Sequence, residues 1–362
     1  MCFATLPLHP AFDYNHWIFF FHIAPFAKLH LVHYDACTAG GASTFCSCCD
    51  KAEANTKTRT IMRWNISNLP RQDGRNVIVT GGASGIGFQV AQALGKKGAH
   101  VTILGRDAAK GEQAIAQLRS NGGNYNFDQM DLASLASIES FAARWDSRPL
   151  QLLMNVAGVM AVPQRELTAE GVEMHMGTNF LGHFALTGRL LAALTSGSAR
   201  VVTVSALVAR FKMADLDPDD LQAKQKPYTP MGAYARSKLA DIMFAVELQR
   251  RAGMIHSGVT SVAVDPGTAN TGLQRHVSGA AAVVGSALTN LIGYPIARVA
   301  ENVLFAATME KPTEDTLIAP SFFIQRFASP RDVGLPTLAR NQAVRERLWQ
   351  KAESLTGVHF GI

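Results

Sequence analysis

The chain has 362 residues, 48% of them hydrophobic and 17% charged; that is enough to bury a large core, and too apolar for a disordered chain. Its 34 Lys and Arg against 28 Asp and Glu give a net charge of +6, and without a basic cluster this excludes the electrostatic footprint of a nucleic-acid-binding protein. No run of 18 apolar residues occurs, so neither a transmembrane helix nor membrane contact is expected.

The first 61 residues show no helical or strand period. All five cysteines (Cys2, Cys37, Cys46, Cys48, Cys49) lie there, with His9, His16, His22, His30 and His33. The apolar run Trp17–Ala27 is broken by Pro25 and has no Lys or Arg before it, so it does not fit a signal peptide. Cys46-Ser47-Cys48-Cys49 lacks the two-residue spacing and the second pair of a zinc site. The segment reads as a disordered extension, or as sequence upstream of a natural start at Met62, and a chain beginning there is expected to keep its melting temperature. From residue 50 onward there is no cysteine, which agrees with a reducing, cytoplasmic location.

From Asn76 short β-rich runs alternate with amphipathic segments. Asn76–Thr80, His100–Leu104, Tyr125–Met130, Leu150–Asn155, Arg200–Val204 and Val259–Val264 read as strands. Gly85–Lys97, Ala108–Ser120, Leu132–Trp145, Gly171–Leu194 and Ala233–Arg251 read as helices. Such alternation predicts right-handed crossovers and an α/β fold. The expected architecture is a single Rossmann-type, doubly wound parallel sheet of about seven strands with helices on both faces, spanning residues 62–362. The strands are apolar throughout, as strands covered on both sides should be.

The first strand runs into Thr80-Gly81-Gly82-Ala83-Ser84-Gly85-Ile86-Gly87 and then a helix. Glycines there let the backbone turn tightly and approach a pyrophosphate, and the helix start offers free N–H groups. The strand-turn-helix setting predicts a dinucleotide site. No Lys-Ser/Thr pair follows, so the turn is not a P-loop. The second strand ends in Leu104-Gly105-Arg106. Gly105 stands where NAD-binding folds place a carboxylate, and Arg106 can pair with a 2′-phosphate. NADP(H) is therefore the preferred cofactor, with NAD(H) kept open by Asp107, which can also cap the next helix. Asp131 either binds the adenine amino group or caps the helix after it.

Four motifs in order, Thr80–Gly87, Asn155-Val156-Ala157-Gly158-Val159-Met160, Thr178-Asn179-Phe180-Leu181-Gly182-His183-Phe184 and Tyr234-Ala235-Arg236-Ser237-Lys238, followed by Asp265-Pro266-Gly267, resemble those of the short-chain dehydrogenase/reductases, especially the retinol-dehydrogenase-like oxidoreductases. The resemblance covers about 300 residues, from Met62-Arg63-Trp64 to the Arg345–Val358 segment. It implies cofactor contacts from Gly81, Ser84, Gly85, Ile86 and Gly87, then Arg106, Asp131 and Leu132. Further contacts are implied from Asn155, Ala157 and Gly158, and from Pro266, Gly267 and Thr271. Family members are often dimers or tetramers, so a homo-oligomer is expected by analogy.

Tyr234 and Lys238 share one helical face. A cation beside a phenol, which titrates near ~10 in water, stabilises its anion and suits it to proton transfer. The resemblance also gives Lys238 the nicotinamide ribose hydroxyls and gives Asn179 a proton-relay water. The departure is in Val204-Ser205-Ala206. The family has a second serine at position 206 that polarises the substrate oxygen. Ser205 is the remaining candidate, although adjacent strand residues face opposite ways and only a bulge would turn it inward. The stretch from Gln274 to Ile296 has many small and apolar residues, and is either a substrate lid, as the resemblance implies, or a helix packed on the core. The expected activity is hydride transfer to or from a small apolar carbonyl or alcohol. The alternative is a catalytically impaired NADP-binding regulatory or scaffold protein.

Overall fold

The computed structural model describes residues 64–222, 224, 227–267, 295–320 and 329–362. The expectations for residues 1–61, for Thr271 and for residues 274–294 of the lid segment fall outside these. The fold belongs to the unit Ile61–Ile362. Its strands are β1 (Asn76–Thr80), β2 (His100–Gly105), β3 (Asn124–Gln129), β4 (Leu152–Asn155), β5 (Arg200–Val204), β6 (Thr260–Val264), β7 (Leu317–Pro320) and β8 (Pro330–Asp332). They form one sheet in the order β3-β2-β1-β4-β5-β6-β7-β8. All neighbours are parallel except β7 and β8. The order reverses at β1, which places a crevice at the carboxyl ends of β1 and β4.

The expected seven strands become eight because Pro330–Asp332 adds an antiparallel edge, with Ile318 opposite Asp332. Proline and charge suit an edge, where one side of the ladder is free. A three-residue strand carries too little periodicity to be read from sequence.

Alternate strand residues feed two cores. Ile78, Leu153, Val201 and Ala263 enter one. Val77, Val79, Leu152, Val202 and Val264 enter the other. The second core is closed by α1 (Gly85–Lys96), α2 (Ala108–Ser120) and α7 (Ile296–Thr308). The first is closed by α3 (Leu135–Trp145), α4 (Gly182–Arg189), α6 (Pro230–Met254) and α9 (Gln342–Thr356), with α5 (Leu191–Ser196) and the single turn α8 (Thr337–Arg340) beside them. Every residue of α6 from Gly232 to Gln249 is buried. Phe184, Phe244, Trp349 and Phe360 form a ring cluster against it, with Trp349 and Phe360 centroids 4.6 Å apart. Pro230 at the first turn and the Thr229 side chain accepting the Gly232 N–H start the helix.

The stretch expected as one helix over Gly171–Leu194 is broken up. Gly171 has φ +76, and Leu167 bridges to Glu173. Helix begins only where the buried Glu173 carboxylate accepts the N–H groups of His175 and Met176. The first turn-and-a-half, Met176–Leu181, is π-helical. A π-turn carries one extra residue and redirects the side chains around it, and here it turns Asn179 towards the end of β4. None of the described helices is long and apolar enough to cross a membrane.

Candidate active site

A cleft of about 330 Å³ opens at the switch point. Gly81, Ser84, Gly85, Ile86 and Gly87 form one wall, and Ala157 and Gly158 the facing one. Arg106, Asp131 and Leu132 line the far end. The glycine turn is built for a phosphate. Gly81 and Gly85 have φ of +68 and +57, and a Cβ on Gly85 would meet nothing within 4 Å. A Cβ on Gly87 would lie 2.5 Å from the Gly81 carbonyl oxygen, so that position accepts only glycine. Ser84 precedes α1 without capping it, leaving its hydroxyl and the first helical N–H groups to a ligand. These residues fit the pyrophosphate of a dinucleotide.

At the far end Gly105 brings no carboxylate and Arg106 is exposed. Asp107 is engaged elsewhere: it accepts the Lys110 N–H as the cap of α2, and its other oxygen lies 2.8 Å from Lys110 Nζ. The side-chain bond to Lys110 holds its carboxyl below the usual range. Asp131 Oδ1 accepts the Ala133 N–H, a local cap, while its residue still borders the cleft.

At the inner end Lys238 is 4% exposed. Its Nζ donates to the Val204 carbonyl and to Asp241 Oδ2, each at 2.8 Å. A Cβ on Gly158 would sit 3.1 Å from Asn179 Oδ1 and 3.6 Å from Lys238 Nζ, so the cleft wall, Asn179 and Lys238 meet at one point. Tyr234 lies one turn earlier on α6, 9% exposed, its ring 6.2 Å from that of His175. Burial first, then the Asp241 and Asp265 carboxylates, push the Tyr234 phenol well above its ordinary range. Without a ligand it is held as the acid.

The family model described as short chain dehydrogenase matches residues 75–217. Human polyprenol dehydrogenase is 36% identical over 298 residues, covering 80% of this chain and 87% of that protein. The chain belongs to the short-chain dehydrogenases. Human retinol dehydrogenase 13 is 34% identical over 294 residues, covering 79% of this chain and 85% of that one. A crystal structure from Mycobacterium paratuberculosis superposes with a TM-score of 0.69 at 32% identity, covering 83% of this chain and all of that one. The Pseudomonas aeruginosa RhlG–NADP complex has a TM-score of 0.55 at 24% identity over 69% of this chain and 95% of that one, a likeness of fold.

Within this short-chain dehydrogenase several expected site residues sit differently. Ser205 is 1% exposed and its hydroxyl donates to the Lys238 carbonyl at 2.6 Å. It fastens α6 to the end of β5, so it is removed from the candidate donors to substrate. No bulge turns it inward. Ala206 caps the short helical turn Leu207–Arg210 without a side-chain bond. Asn179 has no free side-chain donor for a relay water: Oδ1 accepts the Val159 N–H, and Nδ2 donates to the Val159 carbonyl and to Ser237 Oγ. It clamps the loop after β4. Asn155 is buried, donates to Thr187 Oγ1 and does not reach the cleft. Pro266 and Gly267 are held by Asn302 and Asp265 respectively, and, like Tyr234, Lys238 and Asn179, they are not among the residues that line the cleft.

Thr80 and His183 stand inside the motifs with no sequence pattern that singles them out, and both are buried. His183 Nδ1 lies 2.6 Å from the Asn179 carbonyl, which can only accept, so Nδ1 carries the proton. Burial, with a further push from the Lys238 charge, drives its pKa down to about 3 against that bond, and the ring stays neutral. Nε2 is then an acceptor, and the Thr80 hydroxyl 2.9 Å away donates to it. The same hydroxyl accepts the N–H groups of Val156 and Ala157. One threonine thus ties the glycine turn to the facing cleft wall. Thr80→Val keeps the shape and leaves those groups unpaired, at an expected cost of about 2–4 kcal/mol. Urea unfolding checks it, and an unchanged midpoint would show that the node is dispensable.

Proposed function

We propose that the protein is an NADP(H)-dependent oxidoreductase that moves hydride between nicotinamide and an apolar carbonyl or alcohol, with Tyr234 as the acid and base. The observation carrying this is the meeting of Lys238, Asn179 and the cleft wall at Gly158, one helical turn from Tyr234. A bound nicotinamide supplies or accepts the hydride. Tyr234 exchanges the proton with the substrate oxygen. Lys238, with two of its three donors satisfied by protein, keeps one for a ribose hydroxyl and steadies the developing phenolate.

The apolar substrate class is supported by large apolar side chains exposed after β5 and at the start of α6. Phe211 and Met213, shortly after β5, and Met231, three residues before Tyr234, expose 47%, 42% and 38% of their surface. Polyprenol and retinol dehydrogenase, the relatives' names, point to long apolar alcohols. A panel of apolar aldehydes and ketones with NADPH tests this, and turnover of polar carbonyls alone would refute it.

The cofactor preference rests on Arg106 and Lys110 at an edge where Asp107 is already engaged. Arg106→Ala is expected to weaken NADPH by about 5- to 150-fold, the worth of an exposed charge-assisted contact, with NADH little changed. Equal weakening of both cofactors would show that Arg106 does not read the 2′-phosphate.

A further inference from the structure

Asp241 lies one turn beyond Lys238 on α6, and the proton and hydride transfers proposed above leave it without a role. The Lys238–Asp241 pair is sealed, with side chains 5% and 1% exposed. One carboxylate oxygen holds the ammonium at 2.8 Å, and the other, buried, has no hydrogen-bond partner. The helix is buried on all sides here, and Leu239, Ala240, Ile242 and Met243, the neighbours of Asp241 in sequence, are all buried apolar residues. A buried ion pair with a bare oxygen gains little stability over an apolar side chain in the same place. Its position beside the reacting centre suggests a different use.

We propose that Asp241 is a positioning residue, the buried counter-ion that fixes the Lys238 ammonium and favours the oxidised, cationic nicotinamide over the reduced, neutral one. The proposal rests on the oxidoreductase reading above. The substrate oxygen takes its proton from Tyr234, the substrate carbon is bonded to that oxygen, and the hydride partner must touch that carbon. The charge that the ring gains on oxidation therefore appears within reach of Tyr234 and Lys238. Asp241 makes the lysine pair electrically neutral. Without it, an unbalanced ammonium faces a cationic ring.

Other charged groups face the same place. Asp265, buried at the end of β6, has the same sign as Asp241, and the Arg210 charge partly offsets it. His183 on α4 is neutral. His175, beside the Tyr234 ring, is bonded to Glu173. Burial pushes the Asp241 acid up to about 7 against the pull of Lys238. Its charge is present above that pH and is lost as the pH falls below it. Asp265, pushed up to about 6 by burial, loses its share later.

Calorimetric titration of the full chain with NADP+ and NADPH, each without substrate, tests the proposal. At about pH 8.5, Asp241→Asn, which keeps an oxygen for Lys238, is expected to weaken NADP+ relative to NADPH by about tenfold, as one unscreened charge several ångströms away would. Asp241→Glu, which restores the charge, is expected to keep the ratio within about threefold of wild type. The pH dependence gives a second test: the wild-type NADP+ to NADPH affinity ratio should fall between about pH 8.5 and about pH 5.5, and by more than that of Asp241→Asn, in which only the Asp265 share is left to lose. Equal weakening of both cofactors in Asp241→Asn, a loss in Asp241→Glu as large as in Asp241→Asn, or a wild-type ratio flat across that range would each overturn the role of Asp241 and leave the oxidoreductase reading standing. If the wild type binds neither cofactor, the oxidoreductase reading fails and the role of Asp241 with it.

Discussion

Tyr234→Phe is expected to lower turnover of any carbonyl substrate by about 10²–10⁴-fold, the usual worth of a positioned general acid, while NADPH affinity stays within about threefold. Phenylalanine fills the same volume, and among the described residues the Tyr234 side chain has no hydrogen bond to lose. The neighbouring ring of His175, 6.2 Å away, keeps its contact. The deletion therefore removes a proton donor and little else. Burial and the carboxylates of Asp241 and Asp265 hold that proton on the phenol, so carbonyl reduction, which consumes it, is the direction in which the loss should be plainest. Initial rates with saturating NADPH, beside a binding titration, separate the two quantities. A variant that retains more than a tenth of the wild-type rate would remove Tyr234 from the acid role.

Ala206→Ser is expected to raise turnover at least about tenfold, part of the 10²–10³ that a missing oxyanion donor costs. The residue is half-buried and extended, with φ −159, directly after β5 and at the cap of the turn Leu207–Arg210. A serine there adds one oxygen with substrate or the start of the turn as partner, so the fold should change by under about 0.5 kcal/mol. Capping competes with catalysis for the hydroxyl, which is why the expected gain is the lower part of the range. Ser205 cannot supply the function in the parent, because its hydroxyl is bound to the Lys238 carbonyl. Steady-state rates of the two proteins on one aldehyde decide the matter. Equal rates in two active proteins would mean that another donor already occupies the oxyanion position.

The sheet was legible because its central strands are apolar and are followed by a turn and an amphipathic run, the pattern of a doubly covered parallel sheet; the expectation of apolar strands throughout fails at the edge strand β3, where Asn124, Asn126, Asp128 and Gln129 are polar. Six of the eight strands were placed within about two residues, and the misses lie at the far edge. The glycine turn and the Tyr234–Lys238 pair were legible because their spacing alone puts them on a turn and on one helix face. The region 166–181 was not. There a buried carboxylate, a left-handed glycine and a π-turn override a helical pattern of apolar residues, and none of these has a period. Asn179 was found, but its partner was not: a side chain that closes on the Val159 backbone looks the same in sequence as one that holds water. Thr80 and Asp241 were hidden for a related reason. Each matters through groups distant in the chain, or through what its other neighbours leave uncompensated, and a single sequence shows neither.

The most direct measurement is NADPH consumption by the purified chain with a long apolar aldehyde, run beside Tyr234→Phe. An oxidoreductase of the kind described oxidises NADPH with the aldehyde present and not without it, and the Tyr234→Phe protein binds NADPH but does not consume it. Tight NADPH binding by the wild type, with no consumption on any apolar aldehyde or ketone, would contradict the catalytic reading and leave a protein that holds the cofactor without using it.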